Sequence, residues 1–196
     1  MNKINRKKSV WHPLRFLASL VVGGAIGLLT LVAAPETARA ENLIKTPGAH
    51  NQYKFELEPQ LAIKYGCWRC GGPGFGGNWG GVGPGLRVSI PFMHNGPIDT
   101  INNNIAISFG LNTFFYGNDV IGWVAPVAFQ WNFYFTDIIS VLGEVGLVNE
   151  LTTYNGGANF DLYPLFQGGG RFQFGKVGVL VRVGYPMVSV GCNIQF

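Results

Sequence analysis

From Tyr53 onward apolar and polar residues take turns along the chain, and a period of two belongs to the strand, whose successive side chains point to opposite faces. Tyr53, Phe55, Leu57, Leu61, Ile63 and Tyr65 share one face, with Lys54, Glu56, Glu58, Gln60 and Lys64 on the other. Further along, Trp123, Val127, Phe129, Trp131, Phe133 and Phe135 oppose Gln130, Asn132 and Tyr134. Eight such runs are present, opening near Tyr53, Leu86, Ile105, Trp123, Ile139, Gln167, Val177 and Val188. Roughly 9–11 residues suffice to cross a bilayer at a tilt, and an even number of strands closes into a barrel without a free edge. The fold class is therefore all-β, an eight-stranded antiparallel up-and-down transmembrane β-barrel.

A soluble sandwich or lipocalin would alternate too, with its apolar face inward. Three features favour the inverted arrangement. Aromatics cluster near strand ends (Tyr53, Trp123, Phe135, Phe174, Tyr185), where an interfacial girdle lies. The other face carries Gly, Ser, Asn and Gln with charges of both signs, which suits a narrow lumen. An alternating strand also runs to the last residue, Phe196.

Charge is concentrated at the start. Six of the fourteen Lys and Arg fall within the first forty residues beside one acid, Glu36, whereas eight bases meet nine acids from Glu41 onward. That near balance removes nucleic acid as a partner. Lys3, Arg6, Lys7, Lys8 and Arg15 precede an uncharged stretch from Phe16 to Ala34, and Ala38-Arg39-Ala40 offers small residues to a signal peptidase. Residues 1–40 read as a secretory signal peptide cleaved before Glu41, the other reading being a retained anchor. Residues 41–52 then form a short periplasmic lead and 53–196 the barrel.

In these respects the chain resembles the small eight-stranded outer-membrane barrels of the OmpA, OmpX and opacity-protein type. The most specific element is the C-terminal pattern of Val190, Cys192, Ile194 and Phe196, which in that family is the signal read by the barrel-assembly machinery. The resemblance implies the outer membrane of a Gram-negative envelope, contact with its lipid, and surface-exposed loops. Prolines at Pro59, Pro84, Pro91, Pro126 and Pro164 depart from ideal strands, because each removes a ladder donor.

Loop length sets the orientation, since periplasmic turns are short. Phe135-Thr136-Asp137 and Phe174-Gly175-Lys176 are short, while Cys67 to Gly83 and Thr152 to Asp161 are longer and belong outside. Met93 to Asn103 is long for an inner turn. The first outer loop is half glycine. Its Gly72-x-Gly74-x-x-Gly77 matches a dinucleotide fingerprint without the helix that fingerprint needs. Trp68, Phe75 and Trp79 either fold onto the rim or form a sticky surface. Cys67 and Cys70 have the spacing of a metal knuckle or redox pair, but two histidines in the mature chain, His50 and His94, are too few for a zinc site. In an oxidising compartment a local disulfide is the plainer reading.

Neither histidine is placed to serve as a base at an outer rim, and only Asp119, Glu150 and Asp161 are candidate outer acids, so the chain reads as no enzyme, with no catalytic residue, cofactor or metal. Two readings are left. One is a plugged barrel serving envelope integrity or offering its loops to an unidentified surface partner. The other is a narrow channel for small or apolar solutes, since eight strands enclose little more than side chains.

Within the strands the charges all fall on the polar face: Glu56, Glu58, Lys64, Arg87, Glu144, Arg171 and Arg182, with Lys54 and Glu150 at strand ends. Opposed residues in a hairpin are symmetric about its turn. A turn between positions 72 and 73 places Glu58 opposite Arg87. Turns between 157 and 158 and between 176 and 177 bring Glu144, Arg171 and Arg182 together as a lateral network that plugs the lumen.

Overall fold

The computed structural model describes residues 43–65, 80–117, 120–154 and 156–196. Eight strands follow one another in chain order: β1 (Glu56–Lys64), β2 (Val82–Met93), β3 (Asn103–Gly117), β4 (Val120–Tyr134), β5 (Ile139–Tyr154), β6 (Gly157–Phe174), β7 (Val177–Tyr185) and β8 (Met187–Gln195). Each pairs antiparallel with the next, and β1 pairs with β8, so the sheet closes on itself. This is the architecture that the alternation and the family resemblance implied. Beyond β8 the ladder continues, with Lys54 N donating to Phe196 O at 2.7 Å and Phe196 N to Phe55 O at 3.0 Å.

The alternation sorts the faces as the sequence requires. Phe92, Phe129, Leu147, Phe166 and Val183 point outward and are more than half exposed, whereas Glu56, Glu58, Lys64, Arg87, Glu144, Glu150, Arg171 and Arg182 are buried in the bore. The other charged residue in a strand, Asp161, is half-buried near the outer end of β6. Such a surface is stable only where its surroundings are apolar, because water would oppose exposure of so continuous an apolar band. The five strand prolines lie within ladders; beside Pro91 the β2–β3 register shifts, the irregularity expected where a donor is missing.

Several expectations are corrected. Thr152 to Asp161 is no long loop: β5 runs to Tyr154 and β6 starts at Gly157, with Thr152 opposite Asn159. β-Branched threonines favour extended pairing even where polar composition suggests a loop. Gly156, at φ 82°, lies in the left-handed region that this tight turn requires. The hairpin is thus centred two positions earlier than expected, so Glu144 opposes Gln167 and Arg171 opposes Ser140. Glu144 and Arg171 are therefore not opposed. Arg171 opposes Leu180, and Arg182 opposes Gly169, each two residues from the expected partner, because the turn is centred one position earlier and pivots on Gly175 at φ 63°. Glu58 does oppose Arg87. Tyr53 is no girdle residue; it precedes β1 and is buried at the inner end.

The connection from Met93 to Asn103 folds with residues 43–53 beneath the inner mouth. Leu43 N donates to Phe135 O, Asn102 N to Ile44 O, and Tyr134 N to Asn102 O, at 2.8–3.0 Å.

Candidate functional site

The bore is filled in layers, each placed by inward positions of several strands. At mid-height Arg182 of β7 binds Glu58 of β1 through Nη1 and Glu144 of β5 through Nε at 3.1 Å. Arg87 of β2 reaches the same Glu144 at 2.9 Å and touches Gln167 at 3.3 Å. One carboxylate thus sits between two guanidinium groups, and one guanidinium between two carboxylates. Below them Arg171 of β6 pairs with Glu56 of β1 at 2.9 Å.

Towards the outer end the lining changes character. Ala62, Phe114, Val124, Val148, Leu165 and Met187 pack into a small apolar core inside the bore. Sequence reading expected a polar lumen throughout and missed this layer. Phe114, Leu165 and Met187 each stand next to apolar outward residues, and a position apolar on both faces erases the alternation that reveals which way it points.

Above the apolar layer Lys64 Nζ donates to Glu150 Oε2 at 2.7 Å and Oε1 at 3.0 Å. Tyr163 donates to Glu150 Oε2 at 2.7 Å, Tyr116 to Oε1, and Thr152 to Oε1 at 3.4 Å. The Lys64 ammonium also lies 5.5 and 5.4 Å from the ring centres of Tyr116 and Tyr163, within cation–π range. Glu150 was a candidate outer acid. Its oxygens already accept five hydrogen bonds from these groups, so no lone pair is left to take a proton from a substrate.

Lumen packing depends on glycine where large side chains cross a wall. A Cβ on Gly191 would stand 2.5 Å from Glu58 Oε1, closer than real contacts allow, so the Glu58 side chain lies across this bare stretch of β8. Gly143 of β5 points to the outside, where a Cβ would meet nothing within 4 Å.

At the inner end His50 is buried, stacked on Tyr134 with ring centres 4.2 Å apart. Burial holds its imidazole below the ordinary range; the hydrogen bond to Asn102 opposes this, and the nearby His94 reinforces it. His94 itself is exposed in the Met93 to Asn103 connection. Lys54 is exposed, at the strand end where it was expected. Cys192 is exposed on the outer face, with Val190 and Phe196 exposed and Ile194 half-buried beside it. Cys67, Cys70, Trp68, Phe75, Trp79, the glycine fingerprint and Asp119 lie outside the described residues, as do residues 1–40. Among the described residues no group of three or more His, Cys, Asp or Glu is disposed to hold a metal ion.

No known family profile matches the chain, and no curated protein matches it in sequence. Two solved structures are similar in form. Ail, the attachment invasion locus protein of Yersinia pestis, in complex with the heparin analogue sucrose octasulfate, shares 12% identity at a TM-score of 0.39, over 72% of this chain and 95% of that one. The backbone structure of the Yersinia pestis outer membrane protein Ail in a phospholipid bilayer nanodisc shares 14% at 0.40, over 74% of this chain and 100% of that one. By its own strand count, closure and inverted polarity, this chain is an eight-stranded antiparallel transmembrane β-barrel.

Proposed function

We propose that this is a non-catalytic barrel of the cell outer membrane whose lumen is closed by its own side chains, serving envelope integrity or the presentation of outer loops to a surface partner. In this reading residues 1–40 are removed on export, Cys67 and Cys70 pair in the first outer loop, and the terminal Val190, Cys192, Ile194 and Phe196 engage the barrel-assembly machinery. The support is one observation: among the described residues every Lys and Arg in the bore, on four different strands, has a carboxylate of β1 or β5 within 3.1 Å, so the charges hold one another and not a passing ion. A selective channel keeps its charged groups available to the permeating species.

The test is conductance of the purified barrel in planar bilayers, paired with swelling of liposomes in small uncharged solutes. The expected result is no steady current and no swelling. Reproducible ion current would overturn the plug. Swelling without current would favour the second reading, a path for small apolar solutes past Phe114, Leu165 and Met187, the apolar layer that would line it.

A further inference from the structure

Residues 43–53 do not simply lead into the barrel; they seat His50 in its inner mouth. His50 Nδ1 lies 2.6 Å from Asn102 Oδ1, and its Nε2 lies 3.5 Å from Asn104 Nδ2. An amide oxygen on one side and an amide N–H on the other suit one species, the neutral imidazole protonated on Nδ1. Asn104 cannot turn its amide round to suit a cation. Its Oδ1 accepts from Asn132 Nδ2 at 2.7 Å, and its Nδ2 donates to Tyr134 Oη at 2.9 Å.

The orientation of that amide is imposed from the centre of the bore. Asn132 Oδ1 accepts from Gln130 Nε2 at 2.8 Å, and Gln130 Oε1 accepts from Ser89 Oγ at 3.0 Å and from Arg182 Nη2 at 3.5 Å. A guanidinium only donates, so Gln130 must turn its oxygen to Arg182, and each amide down the line is then fixed in turn. The chain Arg182, Gln130, Asn132, Asn104 ends on His50 Nε2 and requires it to be an acceptor. Protonating His50 sets N–H against N–H at that last link.

We propose that residues 43–53 form an acid-released plug of the inner mouth, with His50 as its latch and the amide line from Arg182 as the element that makes the latch intolerant of charge. Among the described residues no carboxylate hydrogen-bonds to His50 to stabilise a cation there, since both ring nitrogens face amides. His94 on the β2–β3 connection repels one. Tyr134 of β4 presents its ring face, a weak attraction for a cation, and Arg171 of β6, held by Glu56 of β1, lines the same small cavity of about 40 Å³ as His50 and Asp137 of the β4–β5 turn. Tyr53 is buried at the same end and offers no carboxylate. Asp137 is exposed, so its attraction is screened by water.

The test is hydrogen exchange of residues 43–53 in the full barrel in lipid nanodiscs at pH 7.5 and 5.0, corrected for the chemical rate, beside NMR titration of the His50 imidazole. Wild type should lose protection in this segment by at least about fivefold on acidification, with the strands unchanged. The loss should share its midpoint with the His50 titration. His94→Gln should keep the response, and His50→Gln, which cannot become a cation, should show none. Equal protection of wild type at both pH values would overturn the proposal. So would separate midpoints, or a His50→Gln protein that responds to acid as wild type does.

Discussion

Glu58 and Arg87 stand opposite each other across the first hairpin, yet each meets its counter-charge on the far wall: Glu58 is held by Arg182, and Arg87 by Glu144. In a flat sheet register neighbours are the natural partners. In a closed bore of eight strands the side chains converge on the axis, and strands that never pair come within reach. Register therefore places these charges at a height, and curvature chooses their partners.

Coupling in the network should follow the observed contacts. Glu144→Gln leaves Arg87 and half of Arg182 without a carboxylate, at a cost of about 3–5 kcal/mol. Combined with Arg87→Gln the loss should be smaller than the sum of the two, whereas combined with Arg171→Gln, whose partner is Glu56, the losses should add to within about 0.5 kcal/mol. Urea unfolding of the three single and two double variants in lipid vesicles decides it. Strong coupling of Glu144 to Arg171 would show that the network is wired differently.

The apolar layer should behave as a core even though it lies inside a membrane barrel. Phe114→Ala removes a fully buried ring and should cost about 3–5 kcal/mol. Phe109→Ala, on the lipid face of the same strand, should cost much less, because lipid fills the space it leaves. Equal losses in the same unfolding assay would mean that the inner layer carries no packing energy.

Two glycines on opposite faces offer a sharper contrast. Gly143→Leu should stay within about 0.5 kcal/mol of wild type. Gly191→Leu displaces Glu58 from Arg182 and should cost about 1–3 kcal/mol from overpacking alone. Thermal midpoints of the two proteins, read by tryptophan fluorescence, should fall in that order.

The chain end should matter for assembly. Phe196 stacks on Phe55 at 4.7 Å with planes 8° apart, where β8 is joined to the start of β1. Phe196→Asp should sharply reduce the folded, heat-modifiable band seen when unboiled and boiled samples are compared on a gel. Phe196→Tyr should retain it. Wild-type folding of the aspartate variant would remove any role for this aromatic contact.

Much of this was legible in the sequence because a strand writes its orientation in alternate residues. Glu56, Arg87 and Arg182 announce an inward face, and Phe92, Phe129 and Val183 an outward one. The opposition of Glu58 and Arg87 could be read from charge alone. The β5–β6 register could not, because it depends on which residue of Asn155-Gly156-Gly157 turns the chain, and a slip of two positions at the turn moves every pair by four. Phe114 and Leu165 were hidden among equally apolar neighbours. His50 carried no local signal, since its partners Asn102, Asn104 and Tyr134 come from distant parts of the chain.

The ion pairs have a consequence for how such a molecule can be made. Of the five among the described residues, four join β1 or β2 to β5, β6 or β7: Lys64 to Glu150, Arg87 to Glu144, Arg171 to Glu56 and Arg182 to Glu58. Each half of the chain, β1–β4 or β5–β8, brings two cations and two carboxylates, but nearly all of them are matched only by the other half. A sheet of four strands left in lipid would hold the charges of β1 and β2 without their partners from β5, β6 and β7, a cost of stopping midway that vanishes at closure. Separately expressed halves should accordingly be lost to proteolysis when alone and recovered as one barrel when produced together.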